Sequence, residues 1–243
     1  MGSNDCLMDG SGNKQGERVR YFSRQLITAD DLNQDQDYHR EKRRLHNRFL
    51  HGWGIVCGLE VVLGPTSSAP LNITVHPGYA LSPQGDEIYV AQDIQFDLGQ
   101  CITGQSAPCS SPCAPVVLGA VDPKKAFYIA IRYSECPSRP VHVSPLGCGC
   151  DDTACEYSRI REGVELTCIG EGKLPANYSD QLTGIAEALK NNKVMPCSAH
   201  LYFPWVVLAK VTLQGETSSG VSIDLLDSAR RILLSTSAIQ SLV

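Results

Sequence analysis

No apolar run in this 243-residue chain approaches the roughly 20 residues needed to cross a bilayer. The longest, Tyr202–Val211, is interrupted by Pro204 and Lys210. The amino-terminal stretch MGSNDCLMDGSGNKQGER is polar and rich in glycine and serine, and it lacks the apolar h-region of a secretory signal. A soluble protein made in the cytoplasm is therefore expected. An excess of positive charge is lacking too: the net charge is −5, which excludes a chain drawn as a whole to nucleic acid. Catalytic signatures are missing. There is no G-x-S-x-G elbow, no H-E-x-x-H, no Walker loop and no G-x-G-x-x-G opening a helix. Asp151, Asp152 and Glu156 lie in polar sequence, where acids are ordinarily just solvated. No enzyme activity is expected.

What is present is enough apolar sequence, 42%, for a core in one domain or in two closely packed ones. Residues 1–17 read as a flexible tail, 18–64 as a helix–turn–strand unit, and 65–243 as a β-rich body. Thr28 suits a helix N-cap, with Asp30 and Asp31 in the first turn, and the spacing predicts a helix from Ala29 to His51. Gly52 stands where a left-handed C′ residue is wanted. The glycine-punctuated segment HGWGIVCGLEV then feeds a strand at Leu59–Leu63. The helix is too polar for a core. Leu32, Tyr38, Leu45, Phe49 and Leu50 make only a thin stripe along it.

Period-two patterning and turn signals predict further strands at 72–76, 87–90, 94–98, 126–133, 161–169, 205–213 and 220–226. Loops rich in cysteine, glycine and proline are expected at 99–115 and 134–156, and a short amphipathic helix near 180–191. The last residues, 228–243, are helix-permissive without clear caps. The fold class is α+β: a long amino-terminal helix followed by a β-rich body of about eight strands with Cys-rich loops.

Three groups of residues are candidates for function. The basic half of the helix holds Arg40, Lys42, Arg43, Arg44 and Arg48, interleaved with His39, His46 and His51. Nucleic-acid contact is one reading of it, a plain solvated helix another, and a protein-facing interface the reading adopted, since acid-first and base-last also complements the macrodipole. His39 and His46 lie seven residues apart with Arg43 between them, which suits hydrogen-bonded or interfacial histidines better than metal ligands. Tyr21, Phe22 and Trp53 stand at the two ends of the helix as aromatic anchors.

The cysteines form the third group. There are eleven, an odd number. Cys136, Cys148, Cys150 and Cys155 follow C-x11-C-x-C-x4-C, and four thiolates could close a structural zinc site. Disulfides and free thiols stay open as alternatives, with reduced thiols or a metal the default in a chain without a signal. Cys101, Cys109 and Cys113 form a looser set, and Cys57 and Cys168 read as small core residues. No cofactor is required.

Several phrases together resemble a bacterial family: YFSRQLITADDLNQDQDYHREKRRLHNRFLHGWGIVCGLEV, then VHPGYALSPQGDEIYV, FYIAIRYSE, CEYSRIREGVEL and PWVVLAKVTL. They are similar to baseplate-associated or fibre-anchoring components of phage-tail-like contractile injection systems. The resemblance covers mainly residues 20–98 and 126–168. Ile27 and Ile55 stand where the family pattern has leucine and valine, and the 99–115 loop has no counterpart in it. It implies a structural subunit with no activity of its own, placed in a symmetric multi-copy particle beside other baseplate and tail subunits. The docking residues expected from the helix and its ends are Tyr21, Phe22, His39, Arg43, Arg44, His46, His51 and Trp53. A free-standing β-rich module binding a glycan or protein is the rival reading, and a metal-dependent enzyme the second.

Overall fold

A computed structural model of the chain describes residues 17–64, 71–103, 120–142, 155–176, 178, 190–191, 202–214 and 220–241. The chain divides into two compact units, Met1–Leu45 and His46–Val243. The boundary falls before the HGWG segment and not after residue 64, because that segment finds its strand partners in the body.

The amino-terminal unit is a short extended stretch followed by helix α1, Ala29–His46. Its start is fixed locally. The Asp31 amide donates to Thr28 Oγ1 (3.2 Å), and the Thr28 amide donates back to Asp31 Oδ2 (2.9 Å). This is a capping box with aspartate at the third helical position. α1 buries none of its residues. Among the described residues of this unit, 17–45, no side chain is buried.

In the body the helical hydrogen bonding widens to a single π turn, Asn47–His51, in place of the continuous helix expected. The Gly52 amide donates to Asn47 O at 3.0 Å, closing the turn. Asn47 is buried, and its Nδ2 donates to Gly85 O at 2.9 Å, which anchors the turn to the hairpin beyond. Gly52 has φ +81° but ψ −148°, so it turns the chain without adopting the left-handed helical pair of angles.

Ten strands follow among the described residues. They are β1 Gly54–Gly58, β2 Val61–Leu63, β3 Asn72–Val75, β4 Gly78–Leu81, β5 Glu87–Val90, β6 Ile94–Asp97, β7 Phe127–His142, β8 Cys155–Gly170, β9 Val206–Gln214 and β10 Gly220–Asp224. They form three antiparallel sheets, ordered β1-β4-β5, β2-β3-β6 and β10-β9-β7-β8. Helix α2, Leu98–Thr103, occupies part of an expected loop, and α3, Thr236–Gln240, is capped by Ser235. Most of the helix expected near 180–191 lies outside the described residues.

Of the strand expected at 59–63 only Val61–Leu63 forms, as β2, because Leu59 sits fully buried at φ +54°, and the turn expected before it holds β1. β7 and β8 run far into the region expected to be a loop. Pro137 and Pro140 are tolerated there because β9 pairs only with Phe127–Ile131, leaving that edge of β7 without a ladder to break. Past the last buried pair the two strands continue as a ribbon, Ser134–His142 against Cys155–Gly163, about 30 Å long.

One core joins the three sheets. Ile129, Ile131, Val206, Leu208, Ile55, Ile73, Val75 and Ile88 are among its fully enclosed side chains, each worth about 2 kcal/mol of burial. Tyr178 braces it: the Val207 amide donates to the phenol oxygen (2.8 Å), which donates to Trp205 O (3.2 Å). The sheets are also tied by the carboxy-terminal segment. The Ile55 amide of β1 donates to Arg231 O and the Leu233 amide donates to Ile55 O, both at 2.8 Å, and the Arg230 guanidinium donates to the carbonyls of Gly58, Leu59 and Leu208. Cys101 of α2 and Cys168 of β8, both buried, form a disulfide, correcting the expectation of reduced thiols at these two positions.

Two predictions follow from this packing. Gly58 has φ +61°, and a Cβ there would stand 2.1 Å from Pro77 O. Gly58→Ala should cost about 3 kcal/mol or more in urea unfolding, whereas Gly172→Ala, where a Cβ meets nothing within 4 Å, should stay within about 0.5 kcal/mol. The Cys101–Cys168 bond spans 67 residues, worth about 4 kcal/mol by loop closure. Cys101→Ala/Cys168→Ala without reductant should lose about that much, and an unfolding curve equal to wild type would mean the pair contributes nothing.

Candidate functional site

The residues named from sequence fall into three settings. In the amino-terminal unit, Tyr21, Phe22, His39 and Arg43 are exposed and Arg44 is half-buried. Phe22 keeps 65% of its surface open to solvent. Leu26, Ile27, Leu32 and Leu45 are exposed as well, while Val19 and Tyr38 are half-buried, so no described apolar side chain of this unit is enclosed. The Tyr21 phenol is pushed above its ordinary pKa by desolvation first and then by the charges of Asp35 and Asp31, which places it beside the acidic start of α1. Arg40 Nη2 meets Asp37 Oδ1 at 2.8 Å and Arg44 Nη1 meets Glu41 Oε1 at 2.6 Å. These i,i+3 pairs hold the two guanidinium groups along the helix surface.

In the body, His46 and His51 are exposed at either end of the π turn, with ring centroids 5.3 Å apart. Trp53 is different. It is 2% exposed, with the Arg231 guanidinium 4.6 Å above its ring and Tyr178 at 4.8 Å. The expectation that Trp53 is an interface anchor is therefore corrected: it is a core residue. Gly54 explains why. Its φ of +137° and the Arg231 carbonyl, 2.9 Å from where a Cβ would be, turn the chain inward at this point.

The cysteine group does not assemble as four thiolates among the described residues. Cys136 is disulfide-bonded. Cys155 is a free, exposed thiol at the end of β8, with Sγ 3.8 Å from His142 Nδ1. Cys148 and Cys150 lie outside the described residues, as do Cys109 and Cys113. No group of three or more potential metal-ligating side chains occurs among the described residues. A sulfur engaged in a disulfide is not available as a thiolate ligand.

Two hollows indent the body. One, about 500 Å³, is lined by Asp122, Lys125, Glu171 and Lys173 among small residues. Its acids already face cations, with Lys125 3.9 Å from Asp122 and Lys210 2.7 Å from Glu171. The other, about 350 Å³, lies between β6 and the root of the β7–β8 ribbon and includes Phe96, Asp97, Gln100 and Glu165. Glu165 is buried but bonded to Arg132 (2.8 Å), whose guanidinium stacks 4.6 Å from Trp205.

The ribbon is what sequence reasoning missed. Its outer part exposes Val141, Tyr157 and Ile160. Pro137, Pro140 and the positive φ of Arg139 blunt the free edge of β7. Glu156–Glu162 has no period-two pattern to mark it as a strand, and the prolines opposite it disguised the pairing.

No family model and no curated protein matches the chain. Among the solved structures that resemble it loosely are two with low identity. One is TssK, at 12% identity and a TM-score of 0.40, covering 86% of this chain and 41% of that one. The other is a chain of the TssK-TssF-TssG baseplate subcomplex of the type VI secretion system, at 11% identity and 0.38, covering 86% and 60%. The chain thus spans well under the full length of either. No described helix is long and apolar enough to cross a membrane.

The cap of α1 yields a pH prediction. Asp31 is held below the ordinary aspartate range, first by the Thr28 amide and then by the Thr28 hydroxyl. A depressed folded value means stabilisation present above the unfolded pKa and lost as pH falls through the folded one. Helicity by circular dichroism should therefore drop at the acid end of the carboxylate range, and Asp31→Asn should shrink that drop. An equal drop in both proteins would show that the cap does not titrate.

Proposed function

We propose that the chain is a structural subunit of a contractile, phage-tail-like injection particle, at or near the baseplate, acting by docking to neighbouring subunits. The observation that carries this is the amino-terminal unit. It is ordered by a capping box and ion pairs, yet no described side chain in it is buried. In proteins most helical stability comes from packing an apolar face rather than from the helix alone. A surface that completes its surroundings in an assembly supplies what the unit lacks.

The family resemblance of residues 20–98 supports the same reading, since it implies a baseplate-associated part with no chemistry of its own. The docking residues are Tyr21, Phe22, His39, Arg43 and Arg44 on the first unit and His46 and His51 on the second. A role for the particle partners in covering Leu26 and Ile27 follows from their exposure.

Charge reversal tests it. Arg43→Glu/Arg44→Glu should leave the melting transition of the purified protein within about 0.5 kcal/mol of wild type, because exposed i,i+3 pairs are worth that little. The same variant should be missing from particles isolated by sedimentation with sheath and tube. Normal incorporation would remove this face from the interface. Failure of the wild-type protein to sediment with particles in fixed stoichiometry would favour the free-standing binding module.

A further inference from the structure

We infer that helix α1 pairs antiparallel with α1 of a second copy of this chain, in register about the point between Tyr38 and His39. The inference rests on the docking role of the amino-terminal unit and names one of its occupants.

The first half of α1 carries Asp30, Asp31, Asp35 and Asp37 and no base. The second half carries Arg40, Lys42, Arg43 and Arg44 against a single acid, Glu41. A helix with one sign only would call for a partner of the other sign. A helix that carries both in equal measure, sorted to its two ends, is its own complement when reversed. Antiparallel pairing sets each acidic half against a basic half twice over, as a two-fold axis requires. It also opposes the two helix dipoles. Parallel pairing would stack acid on acid and base on base, and is excluded by the same count.

The register follows from spacing. Asp35 and Lys42 are seven residues apart, two helical turns, and so share one side of α1. They stand at equal distances from the midpoint between Tyr38 and His39, so each Asp35 meets the other copy's Lys42. Leu32 and Leu45 lie one turn further out on the flanks of that side, 51% and 39% exposed. Lys42 is free to swing: its Nζ rests only over the Tyr38 ring, 5.5 Å from the centroid. The His39 ring nitrogen lies 3.8 Å from Asp35 Oδ1. Arg43 and Arg44 project to other sides of the helix, so pairing through Asp35 and Lys42 leaves them available to a different subunit.

The test uses the full-length protein in analytical ultracentrifugation over a concentration series at low ionic strength, with helicity of each variant checked by circular dichroism. Wild type should dimerise. Asp35→Lys and Lys42→Asp should each weaken the dimer at least about tenfold, since like charges then face each other twice. Asp35→Lys/Lys42→Asp should restore it. A monomer at every concentration, a dimer indifferent to either single change, or a double variant no better than the singles would each overturn the pairing. Particle sedimentation separates this from docking itself. A monomeric chain that still enters particles sinks the pairing alone, and a charge-dependent dimer that never enters them sinks the baseplate reading alone.

Discussion

The β-body depends on one crossing. β1 and β4 approach so closely at Gly58 and Gly78 that neither position has room for a side chain: a Cβ on Gly78 would stand 2.4 Å from Leu59 N. That approach lets Leu59 drop into the core and the chain pass from the first sheet into β2 of another. The Arg230 guanidinium then bonds carbonyls on both sides of the crossing and Leu208 O of β9. A single half-buried cation thereby ties the end of β1 and the crossing to β9, with desolvation lowering its pKa from the usual arginine value. Carbonyls of irregular backbone, which would otherwise be left unmet beside a core, have a donor there.

Everything else in the body is arranged around that junction. Trp53 fills the space under Arg231, Tyr178 closes the top of β9, and the Cys101–Cys168 bond fastens α2 to β8. The β7–β8 pair is buried where it meets β9 and then runs on as a ribbon once that support ends. A two-stranded ribbon is marginal by itself in water. Arg132 bonding Glu165 at its root, and Tyr133 donating to Glu135 Oε1 at 2.9 Å, give it side-chain ties beyond the ladder. The described part of the amino-terminal unit buries no side chain, and the ties seen there are local: a cap and i,i+3 ion pairs along one helix.

That contrast explains which sequence expectations matched the structure. The start of α1 at Ala29 and its acid-first, base-last order were readable because a cap and an i,i+3 pair involve residues three apart. The strands at 72–75, 87–90 and 94–97 were readable because alternation is a local pattern too. Trp53 was not: exposed anchor and core residue look alike in sequence, and the distinction is made by Arg231, far along the chain. The ribbon was hidden because Pro137 and Pro140 argue against a strand until it is known that β9 stops at Ile131.

The sequence alone therefore determined an α+β chain with a capped, charge-sorted helix at one end, since those features are written within one helical turn or one strand. It left Cys101 and Cys168 as reduced thiols, since their spacing carries no mark of pairing. The tertiary structure decided that they bond to each other, that Gly58 and Gly78 cross, and that Trp53 turns inward. Each of those facts requires two segments distant in the chain to meet, and only the packed core says which segments do.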